Sequence, residues 1–288
     1  GILFEDNFDS HEDWTVAQPS VSSVNCVFGD CGISGDWDHY RNGMCQCDDS
    51  LSGEPGNNLM YIDSGAGYPN ENHACYSGEK CFTFWQESCI SHFDDSDGNL
   101  GVDLEGEYED VYLKFHVRFK DGFERKALVD ESGFMMKMFH IQHYNPLASV
   151  NPWSYHEREE SNQPVTAGGL YQYSDLIHFY ATVRCQENYE CNGNVLWNLD
   201  NLEGAYNDGG LFDGGWHSIE IKAHRNSAIG VSDAALELWV DGIKKDYLGG
   251  YEGDSLEMND LGSSELRGWR YVSIGGNAFN QWDTSCGE

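Results

Sequence analysis

Apolar residues alternate with polar and basic ones along several stretches of this chain, and that period of two constrains its fold more than any other feature. The clearest stretch is Val111-Tyr112-Leu113-Lys114-Phe115-His116-Val117-Arg118-Phe119. Strand side chains point alternately to opposite faces. Leu113, Phe115, Val117 and Phe119 are therefore predicted on one face, and Lys114, His116 and Arg118 on the other. The same split recurs in Phe139-His140-Ile141-Gln142-His143-Tyr144, in Ile177-His178-Phe179-Tyr180-Ala181-Thr182-Val183-Arg184, and in Ile219-Glu220-Ile221-Lys222-Ala223-His224. One apolar face and one polar face imply antiparallel sheets packed as a sandwich, with the polar face in solvent. No segment holds a 3.6-residue period, so helix is expected to be minor.

Strands are predicted at 2–9, 59–62, 81–85, 108–119, 134–144, 169–184, 216–225, 234–241 and 269–275. Turn clusters such as Asp213-Gly214-Gly215 and Asp241-Gly242 separate the later ones. Residues 145–168 read as a long loop. Residues 10–57 are rich in Gly, Asp, Asn, Ser and Cys and show little periodicity. No composition break demands a second domain. The expectation is one all-β domain over 1–288, with 10–57 as a loop-rich, disulfide-stapled insertion.

The chain has 49 acidic residues against 16 Lys and Arg, a formal net charge of -33. Such a chain repels phosphates, which argues against a nucleic-acid partner. No apolar run reaches the roughly 18 residues of a membrane-spanning helix. Ten cysteines with no paired CxxC knuckles and no HExxH point to disulfides in an oxidising, extracellular compartment rather than to zinc. Cys185 and Cys191 are spaced for a local bridge. Gly1 runs directly into the strand-like Ile2-Leu3-Phe4, as in a processed, secreted chain. Within the acidic excess, Asp95, Asp97 and Asn99 have the spacing of oxygen ligands around a tight turn, which suits calcium.

Two stretches carry a resemblance. Gly215-Trp216-His217-Ser218-Ile219-Glu220-Ile221 followed by Leu236-Glu237-Leu238-Trp239-Val240-Asp241-Gly242, together with the opening Leu3-Phe4-Glu5-Asp6-Asn7-Phe8-Asp9, resembles the concanavalin A-like jelly-roll superfamily. Within it the chain looks like the polysaccharide-lyase-like and laminin-G-like secreted domains. The resemblance implies a jelly-roll sandwich and a structural calcium held near Glu5, Asp6 and Asp9. His140-Ile141-Gln142 resembles, in reversed order, the Gln-x-His strand of alginate-lyase-like enzymes. Val272 to Gln281 resembles their C-terminal strand, with Ser273 and Phe279 where that strand has Lys and Tyr. Their Arg-x-Glu-x-Arg strand is replaced here by Lys114 to Arg118.

Lyases of this kind cut uronate-containing polysaccharides by β-elimination. The carboxylate must be neutralised, a base must take the proton beside it, and an acid must protonate the leaving oxygen. Arg118, His140, Gln142, His178 and Tyr180 are the candidate catalytic residues. Lys114, His116, Tyr144, Arg184, Lys222 and His224 are candidate substrate contacts. The alternation predicts that these sets point into one shared groove. The expected partner is an acidic polysaccharide, which the chain binds and which the candidate catalytic set would cleave. The alternative is a non-catalytic structural or adhesion subunit. Few residues follow the strand ending at Gly276, so a sheet position beside the N-terminal strand is expected to lie open to strand addition and self-assembly.

Overall fold

The computed structural model describes residues 1–12, 14–15, 24–27, 37, 39–43, 60–63, 75–84, 96–119, 135–143, 165–173, 176–184, 194–199, 211–248 and 266–279. Among the described residues every regular element is a strand. They are β1 (Trp14–Thr15), β2 (Val24–Val27), β3 (His39–Gly43), β4 (Met60–Asp63), β5 (Cys81–Phe84), β6 (Ser96–Tyr108), β7 (Asp110–Arg118), β8 (Met135–Gln142), β9 (Val165–Tyr173), β10 (Leu176–Arg184), β11 (Asn194–Asn198), β12 (Trp216–His224), β13 (Ala235–Val240), β14 (Ile243–Lys244) and β15 (Trp269–Phe279). They form a three-stranded sheet β1-β4-β5, an eight-stranded sheet β11-β10-β9-β8-β15-β6-β3-β2 and a four-stranded sheet β14-β13-β12-β7. The registers established between strands are antiparallel, so the all-β, antiparallel expectation holds.

The chain divides into two compact units. The first comprises Gly1–Val102, Lys126–Phe134 and Gly275–Glu288. Here residues 2–9 form no strand, contrary to the sequence pattern. Their polar side chains instead bond locally: the Asp6 carboxylate takes the Phe8 N–H at 2.7 Å, and the Asn7 side chain takes the Asp9 N–H at 3.2 Å. Such short-range capture of backbone donors favours turns over ladders. A disulfide joins Cys75 to Cys81 at the start of β5. Residues 97–99, expected in a turn, lie in β6, with Asp97 opposite Gly43 and Asn99 opposite Arg41.

The second unit comprises Asp103–Arg125 and Met135–Ile274. Its four-stranded sheet follows the predicted alternation closely. Ile219, Ile221, Ala223, Leu236, Leu238 and Val240 have no exposure, while the residues between them are partly or fully exposed. The chain then steps across to the larger sheet. Lys245 donates its N–H to the Leu238 carbonyl at 2.9 Å, and Leu248 donates to the Leu196 carbonyl at 2.8 Å. Trp197 and Tyr247 meet in a bridge, their rings 6.0 Å apart. β15 has β8 on one side and β6 on the other. The N-terminal segment beside which an open sheet position was expected is not a strand in residues 2–9.

Candidate active site

Strands β8, β9 and β10 bring together four of the five residues expected to be catalytic. His140 sits opposite Ala167 and Gln142 opposite Val165. His178 sits opposite Tyr171 and Tyr180 opposite Gly169. Residues directly opposite share a face, so these four occupy one face of the sheet. The other face carries Phe139, Ile141, Leu170, Phe179 and Ala181, all without exposure. Alternation thus separated the polar and apolar sets of β8 and β10 correctly.

A fifth residue joins them by way of a bulge. The register slips between Lys137 and Phe139, which leaves Met138 without an opposite partner. Plain alternation backwards from Phe139 would assign Lys137 to the apolar face. The slip sets it opposite Gly169 instead, on the face of Tyr180. The two adjacent glycines make this geometry. A Cβ on Gly169 would lie 2.0 Å from the Met136 carbonyl oxygen, and one on Gly168 would lie 2.2 Å from the Tyr180 carbonyl oxygen. Lys137 and Tyr180 therefore flank a position with no side chain. Their backbones are about 10 Å apart, twice the spacing of neighbouring strands.

The face is not in solvent, as the sequence led us to expect. His140, Gln142, His178 and Tyr180 are each no more than 3% exposed. Lys137 is half-buried. This part of the sheet is covered on both faces, and hydrogen bonds and charges act more strongly in such surroundings than in water. Ser273 of β15 lies beneath the cluster with its Oγ 3.3 Å from His140 Nδ1. With Ser273 donating, His140 keeps its proton on Nε2. His143, at the end of β8, is held by the Gly268 carbonyl at 3.1 Å. Arg270 of β15 grips the Asp103 carboxylate of β6, with Nε 2.9 Å from Oδ1 and Nη2 2.9 Å from Oδ2. These contacts fix the strand that carries Ser273.

The remaining candidates lie elsewhere. Lys114, His116 and Arg118 belong to β7, and Lys222 and His224 to β12, on the exposed face of the four-stranded sheet. The single groove predicted for all of them does not form. Alternation tells which face of a strand a residue occupies, but not which sheet the strand joins. His116 has its pKa lowered, first by partial burial and then by the Lys114 ammonium, with Asp241 opposing. Arg184 lies in β10 opposite Val165. Tyr144, Cys185, Cys191 and Asp95 fall outside the described residues.

The carboxylates expected to hold calcium near the N-terminus are engaged otherwise. Asp6 Oδ2 lies 2.6 Å from His11 Nε2 and accepts the Trp37 indole N–H at 2.6 Å. Asp9 Oδ1 accepts the N–H groups of Glu79 at 2.7 Å and Lys80 at 3.0 Å. Those two donors, Lys80 first, hold the Asp9 pKa below its ordinary value. Among the described residues no group of three or more His, Cys, Asp or Glu is arranged to hold a metal.

No protein-family model matches the chain, and no curated protein matches it by sequence. Among solved structures it is similar to two mutant forms of the alginate lyase Aly36B. The form in complex with alginate trisaccharide gives a TM-score of 0.38 at 10% identity, over 64% of this chain and 67% of that one. The form in complex with alginate tetrasaccharide gives 0.37 at 10% identity, over 65% and 67%. A superposition this loose assigns no role to any residue here.

Proposed function

We propose that this protein is an extracellular jelly-roll protein that binds an acidic, uronate-containing polysaccharide at the β8–β9–β10 face and cleaves it by β-elimination. The observation that carries the proposal is the placement of Lys137 and Tyr180 on either side of Gly169. A sugar ring admitted over the glycine, on a face that is buried in this structure, would meet an amine on one side and a phenol on the other. His140 and Gln142 lie further along β8 on the same face, where their N–H groups reach the uronate carboxylate.

Each group then has a task. Hydrogen bonds from His140 and Gln142 spread the carboxylate charge, so the adjacent C–H becomes acidic. Lys137 is the group placed to take that proton as the general base. The electron pair forms the new C=C bond and the bond from carbon to the glycosidic oxygen breaks. Tyr180, protonated at neutral pH, gives its proton to the leaving oxygen. His178 borders the same site and orients the sugar. Arg118, also expected among the catalytic residues, has no task in this scheme, because it belongs to the other sheet.

Incubation with alginate and polygalacturonate tests this. A lyase produces the ultraviolet absorbance of an unsaturated uronate. A second reading is a glycan-binding protein without catalysis, favoured by the near-complete burial of His140, His178 and Tyr180, which suits a rigid polar core. Saturable binding with no new absorbance would establish it.

A further inference from the structure

The exposed face of the four-stranded sheet is unusual for this chain. Pairing aligns Lys114, Glu220, Trp239 and Lys244 in one row across all four strands, and Tyr112, Lys222 and Glu237 in the next. The two aromatic rings, Tyr112 and Trp239, are 6.2 Å apart. Tyr112 is 55% exposed, and the Lys244 ammonium sits 5.6 Å from the centre of the Trp239 ring. The row spans about 14 Å across the sheet, three strand spacings.

Charges on this face are layered. The Lys114 ammonium lies 3.1 Å from Glu220, and their side chains are 46% and 12% exposed. Lys222 lies 3.7 Å from Glu237, at 44% and 24%. Lys244, 53% exposed, also pairs with Glu237. Tyr112 donates its hydroxyl to Glu220. The two glutamates are tucked against the sheet below the ammonium groups, while Asp110, 54% exposed and 4.0 Å from Lys222, stands at the edge of the face. A chain with a net charge of -33 has here assembled three of its 16 Lys and Arg around two rings, Tyr112 exposed and Trp239 half-buried. Aromatic faces stack on sugars, and outward ammonium groups pair with anions.

We propose that this face is a second, non-catalytic binding surface for an acidic polysaccharide, with sugar rings stacked on Tyr112 and Trp239 and uronate carboxylates paired with Lys114, Lys222 and Lys244. The choice of uronates rests on the function proposed above; the platform does not share residues with that site. It holds polymer without acting on it.

Affinity electrophoresis in gels containing alginate, polygalacturonate, dextran sulfate or neutral laminarin tests the platform. Wild-type protein is expected to be retarded by the two uronates and not by laminarin. Tyr112→Ala, which leaves charge unchanged, and the triple variant Lys114→Gln/Lys222→Gln/Lys244→Gln should each weaken retardation at least fivefold with melting temperatures preserved. Their turnover of short uronate oligomers should match wild type. Tyr180→Phe should remain retarded, so failure of catalysis and failure of the platform are separable. Retardation unchanged in both surface variants, retardation by dextran sulfate or laminarin alone, or no retardation of the wild type would each overturn the proposal.

Discussion

His217 Nδ1 lies 2.8 Å from Asp241 Oδ2, and this contact docks the β13–β14 turn onto β12. Asp241 also accepts the Ser218 N–H at 2.8 Å and donates its own N–H to the Ser218 carbonyl at 2.9 Å. The turn has φ of 51° at Asp241 and 73° at Gly242, the two positive angles of a tight two-residue hairpin. The other ring nitrogen of His217 lies 3.1 Å from Asp213 Oδ1. Burial disfavours the charged ring, but the carboxylates of Asp241 and Asp213 outweigh it, so the pKa of His217 is raised above 6.5. The folded state therefore holds this proton more tightly than the unfolded one. Its contribution is complete below about pH 6.5 and is lost as pH rises through the folded value. The melting temperature of wild type should decline over that window relative to His217→Asn. Parallel curves for the two proteins would show that the clamp contributes nothing.

Lys245 is expected to be a stability defect. It is 4% exposed, and among the described residues its Nζ finds no hydrogen-bond partner. Burial pushes its pKa down, with Asp241 opposing. Folding must discharge or desolvate this amine, so the group weakens the fold at neutral pH and weakens it less as pH rises toward about 10. Lys245→Met should raise stability by roughly 1 kcal/mol at pH 7. The gain measured by denaturant unfolding should shrink in alkaline buffer. A loss of stability at pH 7 would show that the amine has a partner in solution.

Gly169→Ala tests the bulge. The new methyl group would overlap the Met136 carbonyl, so β8 and β9 must part or the bulge must slide. Overpacking of this kind costs roughly 1–3 kcal/mol. The same shift displaces Lys137 from Tyr180, so turnover should fall more than tenfold with substrate affinity less affected. Unaltered turnover in a stable variant would separate the bulge from the chemistry.

Asp6→Asn tests the N-terminal anchor. The Asp6 side chain is 9% exposed and gathers the Phe8 N–H, the Trp37 indole and His11. Loss of charged acceptors near burial costs roughly 1–3 kcal/mol. Because the structure uses these oxygens for N–H donors, the drop in melting temperature should be the same with and without a calcium chelator. A drop that appears only in the absence of chelator would establish calcium at this site.

Much of the second unit was legible because its strands are amphipathic. Period-two patterning located β7, β8, β12 and β13 and sorted their faces, and Asp241-Gly242 marked its hairpin. β6 was missed beyond its last residue. Ser96-Asp97-Gly98-Asn99 has poor strand propensity, and pairing with β3 overrides it. β11 was missed because five residues give too short a pattern. At the site, His140, Gln142, His178 and Tyr180 were found by alternation, but Lys137 was not. A bulge breaks the period, and only the paired glycines Gly168-Gly169 hinted at it. Membership of a sheet is a tertiary property, so the separation of Lys114 from His140 had no local signature.

The most direct test of the central claim is ultraviolet absorbance during incubation of wild-type protein and Tyr180→Phe with uronate polymers. The account predicts a steady rise in the absorbance of unsaturated products for wild type. It predicts at least a hundredfold slower rise for Tyr180→Phe, with polymer binding retained, since loss of a proton donor typically removes a factor of about 10² to 10⁴. A wild-type protein that binds the polymer without any rise, or a Tyr180→Phe variant as fast as wild type, would contradict it.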